Sequence, residues 1–215
     1  MPAGFDYPRD EQGQYMIPLA QINFREVPPL PGYPSKGYLQ LYISAYDDLH
    51  GMNLENLQDQ KNFRVLFFEE EDVQECQRDF SFLDEVMKYE YVPVYKPCAP
   101  QADYAGIRDV RIEKNMHFNF NAIVQQYPDI SNELHDTLYN AFSCSGHKMG
   151  GYAYFTQIDP RTGNDELEKY LLLFQLDSDE ENTNWGDCGV ANFFIHPADL
   201  ARKDFSKVMY TWDCT

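Results

Sequence analysis

An α+β fold with mostly antiparallel sheets and few helices is the fold class this sequence predicts, and three observations carry the prediction. Short runs rich in β-branched and aromatic residues recur between Pro/Gly punctuation. Sixteen Tyr and fifteen Phe supply the side chains that pleated, half-buried surfaces favour. One strand–turn–strand pattern occurs twice, once in each half of the chain, as an internal duplication would leave it. Strands in runs, not alternating with helices, point away from a parallel βαβ sheet.

Taken in order, the predicted strands are Ile17 to Phe24, Gly37 to Ile43, Phe63 to Phe68, Tyr89 to Tyr95 and Ile107 to Glu113. Four more follow: Gly151 to Gln157, Tyr170 to Asp177, Val190 to Ile195 and Val208 to Trp212. The Pro/Gly cluster over 27–34 separates the first two. A helix is predicted over Ile130 to Phe142, where Ser131 can cap the N-terminus and Leu134, Leu138 and Phe142 share a face. Phe80 to Tyr89 reads as a short helix, and Pro197 to Ala201 as a helical turn.

The repeat fixes the expected organisation. Leu19-Ala20-Gln21-Ile22-Asn23 matches Leu173-Phe174-Gln175-Leu176-Asp177, and Gly37 and Gly189 each open the next strand. Third strands follow at 62–67 and 204–210, and Pro8-Arg9 upstream has its counterpart in Pro160-Arg161. A single domain, 1–215, is therefore expected, with a first repeat over 1–95, a connecting strand and helix over 96–145, and a second repeat over 146–215. The second copy begins further upstream, with His147 to Gln157, and the first copy has no room before Gln21 for a Gly-Gly strand of its own. The first repeat is accordingly expected to be N-terminally clipped.

Several unusual words occur in order: His147-Lys148-Met149-Gly150-Gly151-Tyr152, Gln157 with Asp159-Pro160-Arg161, Trp185-Gly186-Asp187, Asn192-Phe193-Phe194-Ile195, Asp204-Phe205-Ser206 and the ending Tyr210 to Cys214. With Pro18 to Phe24 near the start, the chain resembles the YwqG-like family of bacterial proteins over almost its whole length. The resemblance implies a duplicated, mostly antiparallel α+β fold and brings no established activity, the family being a domain of unknown function. A suspected association of some relatives with toxin genes hints at an immunity-type role.

Charge narrows the partners. With 17 Lys and Arg against 35 Asp and Glu, the formal net charge is −18. Such a surface repels phosphate backbones and anionic headgroups, arguing against nucleic acid and membrane, and attracts a basic protein, a cationic ligand or a divalent metal. Five cysteines without a CxxC pair suit thiols in a reducing cytoplasm better than a disulfide framework. No stretch is long and apolar enough for a membrane span.

No P-loop, GxGxxG, GxSxG or HExxH is present, so no cofactor is expected and catalysis has no signature. The candidate ligand-binding residues are Gln21, Gln175, Asp177, His147, Trp185 and Asp187. Gln21 and Gln175 either line a central cleft between the repeats as an amide pair or satisfy backbone groups locally. Asp177 to Glu181 reads as a solvated acidic loop or an oxygen-rich Ca²⁺ loop, without EF-hand spacing. Cys144 and His147 read as a buried thiol beside a hydrogen-bonded imidazole, or as a nucleophile–base or zinc pair lacking a clear third ligand. No metal is assigned. Trp185 reads either as part of a glycine-bounded turn or as a surface binding anchor, with Asp187 beside it.

Three functions are compatible with these features. The favoured one is an acidic, non-catalytic binding protein that engages a basic protein partner. The second is a small-molecule binder or enzyme using the cleft between repeats. The third is a homodimer formed through an exposed strand edge.

Overall fold

A computed structural model describes residues 1–73, 75–94, 111, 112, 131, 133, 134, 137, 144–179 and 182–215. Strands β1 (Ile17–Asn23), β2 (Tyr38–Ile43) and β3 (Phe63–Phe68) form an antiparallel sheet in sequence order. A second sheet takes β4 (Arg111–Ile112), β5 (Lys148–Met149), β6 (Leu171–Asp177), β7 (Val190–Ile195) and β8 (Met209–Asp213), also in sequence order. All neighbours are antiparallel except β4 and β5. A short helix, Pro197–Ala201, starts on the side chain of His196, which accepts from the Ala198 N–H. The fold is thus α+β and mostly antiparallel.

Side-chain alternation gives each sheet an inner and an outer face. Leu39, Leu41, Ile43, Phe63 and Val65 face inward from the first sheet, and Ala191, Phe193, Ile195 and Tyr210 from the second. The layers meet through aromatic rings, with Phe63 5.1 Å from Tyr210 and 6.4 Å from Phe193. Burying each such ring is worth roughly 1.5–3 kcal/mol, so this shared core holds the sheets together.

The two copies of the repeated word have the same register. β1 and β2 slip between Pro18 and Ala20, and β6 and β7 slip between Leu172 and Phe174. Leu19 and Leu173, each the first residue of its word, are the extra residues. Beyond the bulge Gln21 lies opposite Gln40, and Gln175 opposite Asn192. Glycine is required before β2 and β7: a Cβ on Gly37 would stand 2.8 Å from the Phe68 carbonyl oxygen, and one on Gly189 2.1 Å from that of Asp213.

Several sequence expectations are corrected. Tyr89 to Tyr95 is not a strand among its described residues. Its start closes a 3₁₀ turn through Tyr89 N–H to the Val86 carbonyl, Pro93 has no N–H to give a ladder, and the only pairing is an isolated bridge from Val94 to Thr183. Phe80 to Tyr89 forms two separate 3₁₀ turns, Ser81–Leu83 and Val86–Lys88, instead of one helix. Gly151 to Gln157 is an irregular strap. Gly150 and Gly151 take φ of +70° and +68°, which turns the chain out of the sheet, and its backbone bonds go to side chains. Most of the helix predicted over Ile130 to Phe142 lies outside the described residues. Of those described, Glu133, Leu134 and Thr137 are helical, and the Ser131 hydroxyl accepts from the Leu134 N–H at 3.3 Å. Of Ile107 to Glu113, only β4 is described.

Candidate functional site

Gln21 and Gln175 do not meet. The bulges put both on outer faces, Gln21 on that of the first sheet and Gln175 on that of the second, while the inward residues fill the space between. The central amide pair is therefore replaced by two separate sites. Gln21 Oε1 accepts from Gln40 Nε2 at 2.5 Å, and both line a small cavity of about 130 Å³. Gln175 is wholly buried and binds the chain passing over it. Its Oε1 accepts from the Tyr154 N–H at 2.7 Å, and its Nε2 donates to the carbonyls of Cys144 and Gly146 at 2.9 and 2.8 Å.

Three of the six sequence candidates do converge here. His147 Nδ1 accepts from the Asp177 N–H at 3.1 Å, which leaves the proton on Nε2, 2.8 Å from Asp179 Oδ2. The Asp177 carboxylate accepts from the N–H groups of Gly146 and Ser178 at 2.5 and 2.9 Å. Its burial pushes its pKa above the usual carboxylate value, and these donors, His147 and Lys148 offset that only in part. Asp179 goes the other way. Burial again raises it, but hydrogen bonds from His147, Asn182 and Thr183 outweigh that and hold it well below the ordinary value.

Every polar atom in this group that has been named is spent on a neighbouring backbone or side chain. Both ring nitrogens of His147 are engaged, so no nitrogen remains to activate the Cys144 thiol as a nucleophile. Among the described residues no group of three or more His, Cys, Asp or Glu is placed to hold a metal ion. What the arrangement does chemically is clasp the 144–147 segment and Tyr154 to β6.

Trp185 is not at the surface. It is fully buried, with its ring edge-on to His50 at 5.4 Å and tilted to Trp212 at 6.2 Å. The sequence placed it in a turn, but the bonds from its N–H to Ser178 Oγ and from Gly189 N–H to its carbonyl draw that turn into the core. Asp187 is exposed, and its carbonyl fastens the C-terminus by accepting from Thr215 Oγ1 at 2.8 Å.

Burial and charge single out a surface that sequence reasoning missed. Every residue of the loop Asp47-Asp48-Leu49 and of the stretch Tyr89-Glu90-Tyr91 is exposed, with Leu49, Tyr89 and Tyr91 retaining 39%, 48% and 40% of their accessible area. They are neighbours: the Tyr46 and Tyr89 rings stand 4.9 Å apart, and His50 lies close to the Tyr91 backbone. Beneath them His50 is buried among aromatic rings, and desolvation lowers its pKa despite the opposing pull of the Tyr91 backbone, Asp47 and Asp48. Eight described lysines and arginines are tied up in ion pairs elsewhere, whereas Asp47, Asp48 and Glu90 face no cation among the described residues. The signal in the sequence was an acidic loop four residues past a strand, paired with a Tyr-Glu-Tyr word that strand propensity disguised.

A family profile described as a domain of unknown function, DUF1963, matches residues 1–214. The chain belongs to DUF1963. No curated protein matches this DUF1963 chain. Among its described residues, no helix is long and apolar enough to cross a membrane.

Proposed function

We propose that this DUF1963 protein is a non-catalytic binding protein that engages a basic protein partner through the acidic, aromatic patch formed by 47–49 and 89–91. The observation that carries this reading is the coincidence, at one place, of three unpaired carboxylates with exposed Leu49, Tyr89 and Tyr91. Tyrosine is enriched at protein interfaces, and complementary charge sets approach rate and partner choice. The net charge of −18 adds a long-range attraction for cations. The resemblance to YwqG-like proteins, with its hint of an immunity-type role, accords with a basic toxin as partner. A cytoplasmic location is part of the proposal, since the thiols of Cys76, Cys188 and Cys214 are unbridged.

The test compares the wild type with the triple variant Asp47→Lys, Asp48→Lys, Glu90→Lys. Capture from host lysate at low salt, where attraction reaches furthest, should yield a basic protein. Once purified, that protein should bind the triple variant at least tenfold more weakly than the wild type. Recovery of no partner, or of one that binds both proteins equally, would refute the proposal.

A further inference from the structure

A second feature, on a different face, points to a small-molecule site. Between the outer face of the first sheet, the N-terminal segment and the turn near 77–82 lies a cavity of about 750 Å³, within the range of ligand sites. Arg64 and Leu66 enter it from β3, Phe5, Asp6, Tyr7 and Arg9 from the N-terminal segment, and Phe82 from the far side.

Two donors in this cavity lack partners. Arg64 Nε and the Tyr7 hydroxyl are both buried with no hydrogen-bond partner among the described residues, and Arg64 makes no ion pair. A buried unsatisfied donor is costly, and a guanidinium more so. In a chain with twice as many acids as bases, Arg64 lines this cavity without an ion pair among the described residues. Burial, with Tyr42 beside it, pushes the Tyr7 phenol far above its ordinary value, so it remains a donor. Arg9 supplies a second cation, its guanidinium stacked 3.7 Å above the Tyr15 ring and bonded to the Gly13 carbonyl.

The second sheet shows what this place looks like when closed. Across the first sheet, at the bulge, Pro18, Tyr42 and Arg64 lie side by side. At the matching level of the second sheet stand Leu172, Phe194 and Met209, which pack into an apolar cluster. Arg161, the counterpart of Arg9, stacks on Phe194 at 4.0 Å and is neutralised by Asp159. In the first half Tyr7 stands where Asp159 would be, and Arg64 where Met209 would be. The carboxylate that closes the second site is absent from the corresponding place in the first.

We propose that this cavity binds a small carboxylate with a planar, apolar body, the carboxylate accepting from Arg64 and Tyr7 and the body lying among Phe5, Tyr15, Leu66 and Phe82. Guanidinium and phenol together match a carboxylate's two oxygens. The Asp6 carboxylate in the same wall favours a monoanion over a phosphate dianion.

Calorimetric titration of the full chain with benzoate, phenylacetate and indole-3-acetate tests this, with phenylacetamide and phenyl phosphate as controls. At least one carboxylate should bind at about 1 mM or tighter, and its matched neutral amide at least tenfold more weakly. Arg64→Gln should abolish binding and Tyr7→Phe weaken it severalfold, both with a melting temperature no lower than the wild type's without ligand, because Arg64 Nε and the Tyr7 hydroxyl have no partner to lose. The triple variant of the acidic patch should bind the carboxylate normally, which separates this site from the protein-binding surface. Binding of none of the three acids, equal binding of acid and amide, retention in Arg64→Gln, or tighter binding of phenyl phosphate would each overturn the assignment.

Discussion

Replacing Gln175 by alanine, beside the same change at Gln21, isolates what burial does to one residue type at matching positions. The Gln175 amide satisfies three backbone groups: the Tyr154 N–H and the carbonyls of Cys144 and Gly146. It is fully buried, so truncation leaves those groups without water as well as without the amide. A net hydrogen bond is worth about 1 kcal/mol, and an orphaned buried group costs about 1–3 kcal/mol. Partial relaxation of the strap brings the expected loss to about 3–5 kcal/mol, a large share of the roughly 5–15 kcal/mol available to a domain. Gln21 is half-buried, and water can replace what its side chain gives Gln40, so Gln21→Ala should cost about 1 kcal/mol or less. Urea unfolding of both variants reads the difference, and amide exchange at Tyr154 should accelerate in Gln175→Ala alone. Equal losses in the two variants, or a loss below about 1 kcal/mol in Gln175→Ala, would refute the assignment of Gln175 as a clasp.

Four further outcomes are expected. Asp179 has its folded pKa held below the ordinary 3.8, so the stability it confers is complete above that value and is lost as pH falls beneath it; Asp179→Asn should flatten the urea midpoint against pH in that window. Asp177, raised by burial, acts in the opposite sense, its share of stability falling as pH rises above 3.8, and Asp177→Asn should remove that slope. Gly189→Ala should displace the end of β8, since its Cβ would meet the Asp213 carbonyl oxygen at 2.1 Å; loss of the cooperative thermal transition or a drop of several degrees checks it. Phe63→Ala removes the ring that joins the two layers and should cost about 3–5 kcal/mol in the same urea assay.

Much of the fold was legible because β-branched and aromatic runs recur between Pro/Gly punctuation. Phe63, Val65 and Phe67 against Arg64 and Leu66 announce both β3 and its faces. The repeated word was legible, but the bulges at Leu19 and Leu173 within it were not. Legibility ended where side chains replaced ladder bonds: the Gly151 to Gln157 segment has strand composition, yet Gln175 and Asp213 take its donors. Trp185 carried no sign of depth, because its burial depends on His50 and Trp212, far away in sequence. Arg64 was visible as a charge within an apolar strand, but its meaning needs the cavity in front of it.

The clustering around His50 has an optical consequence. Trp185 and Trp212 are the chain's two tryptophans, and their rings lie 5.4 and 4.6 Å from the same imidazole. The protein's tryptophan emission therefore originates at a single spot, directly under Asp47, Asp48 and Tyr91. Trp212, half-buried and bonded through Nε1 to the Leu49 carbonyl, is coupled to the surface loop, while Trp185 is sealed from solvent. Anything that settles on that loop shifts the colour of one indole against an unmoved internal standard, so occupancy of this face can be followed without a label.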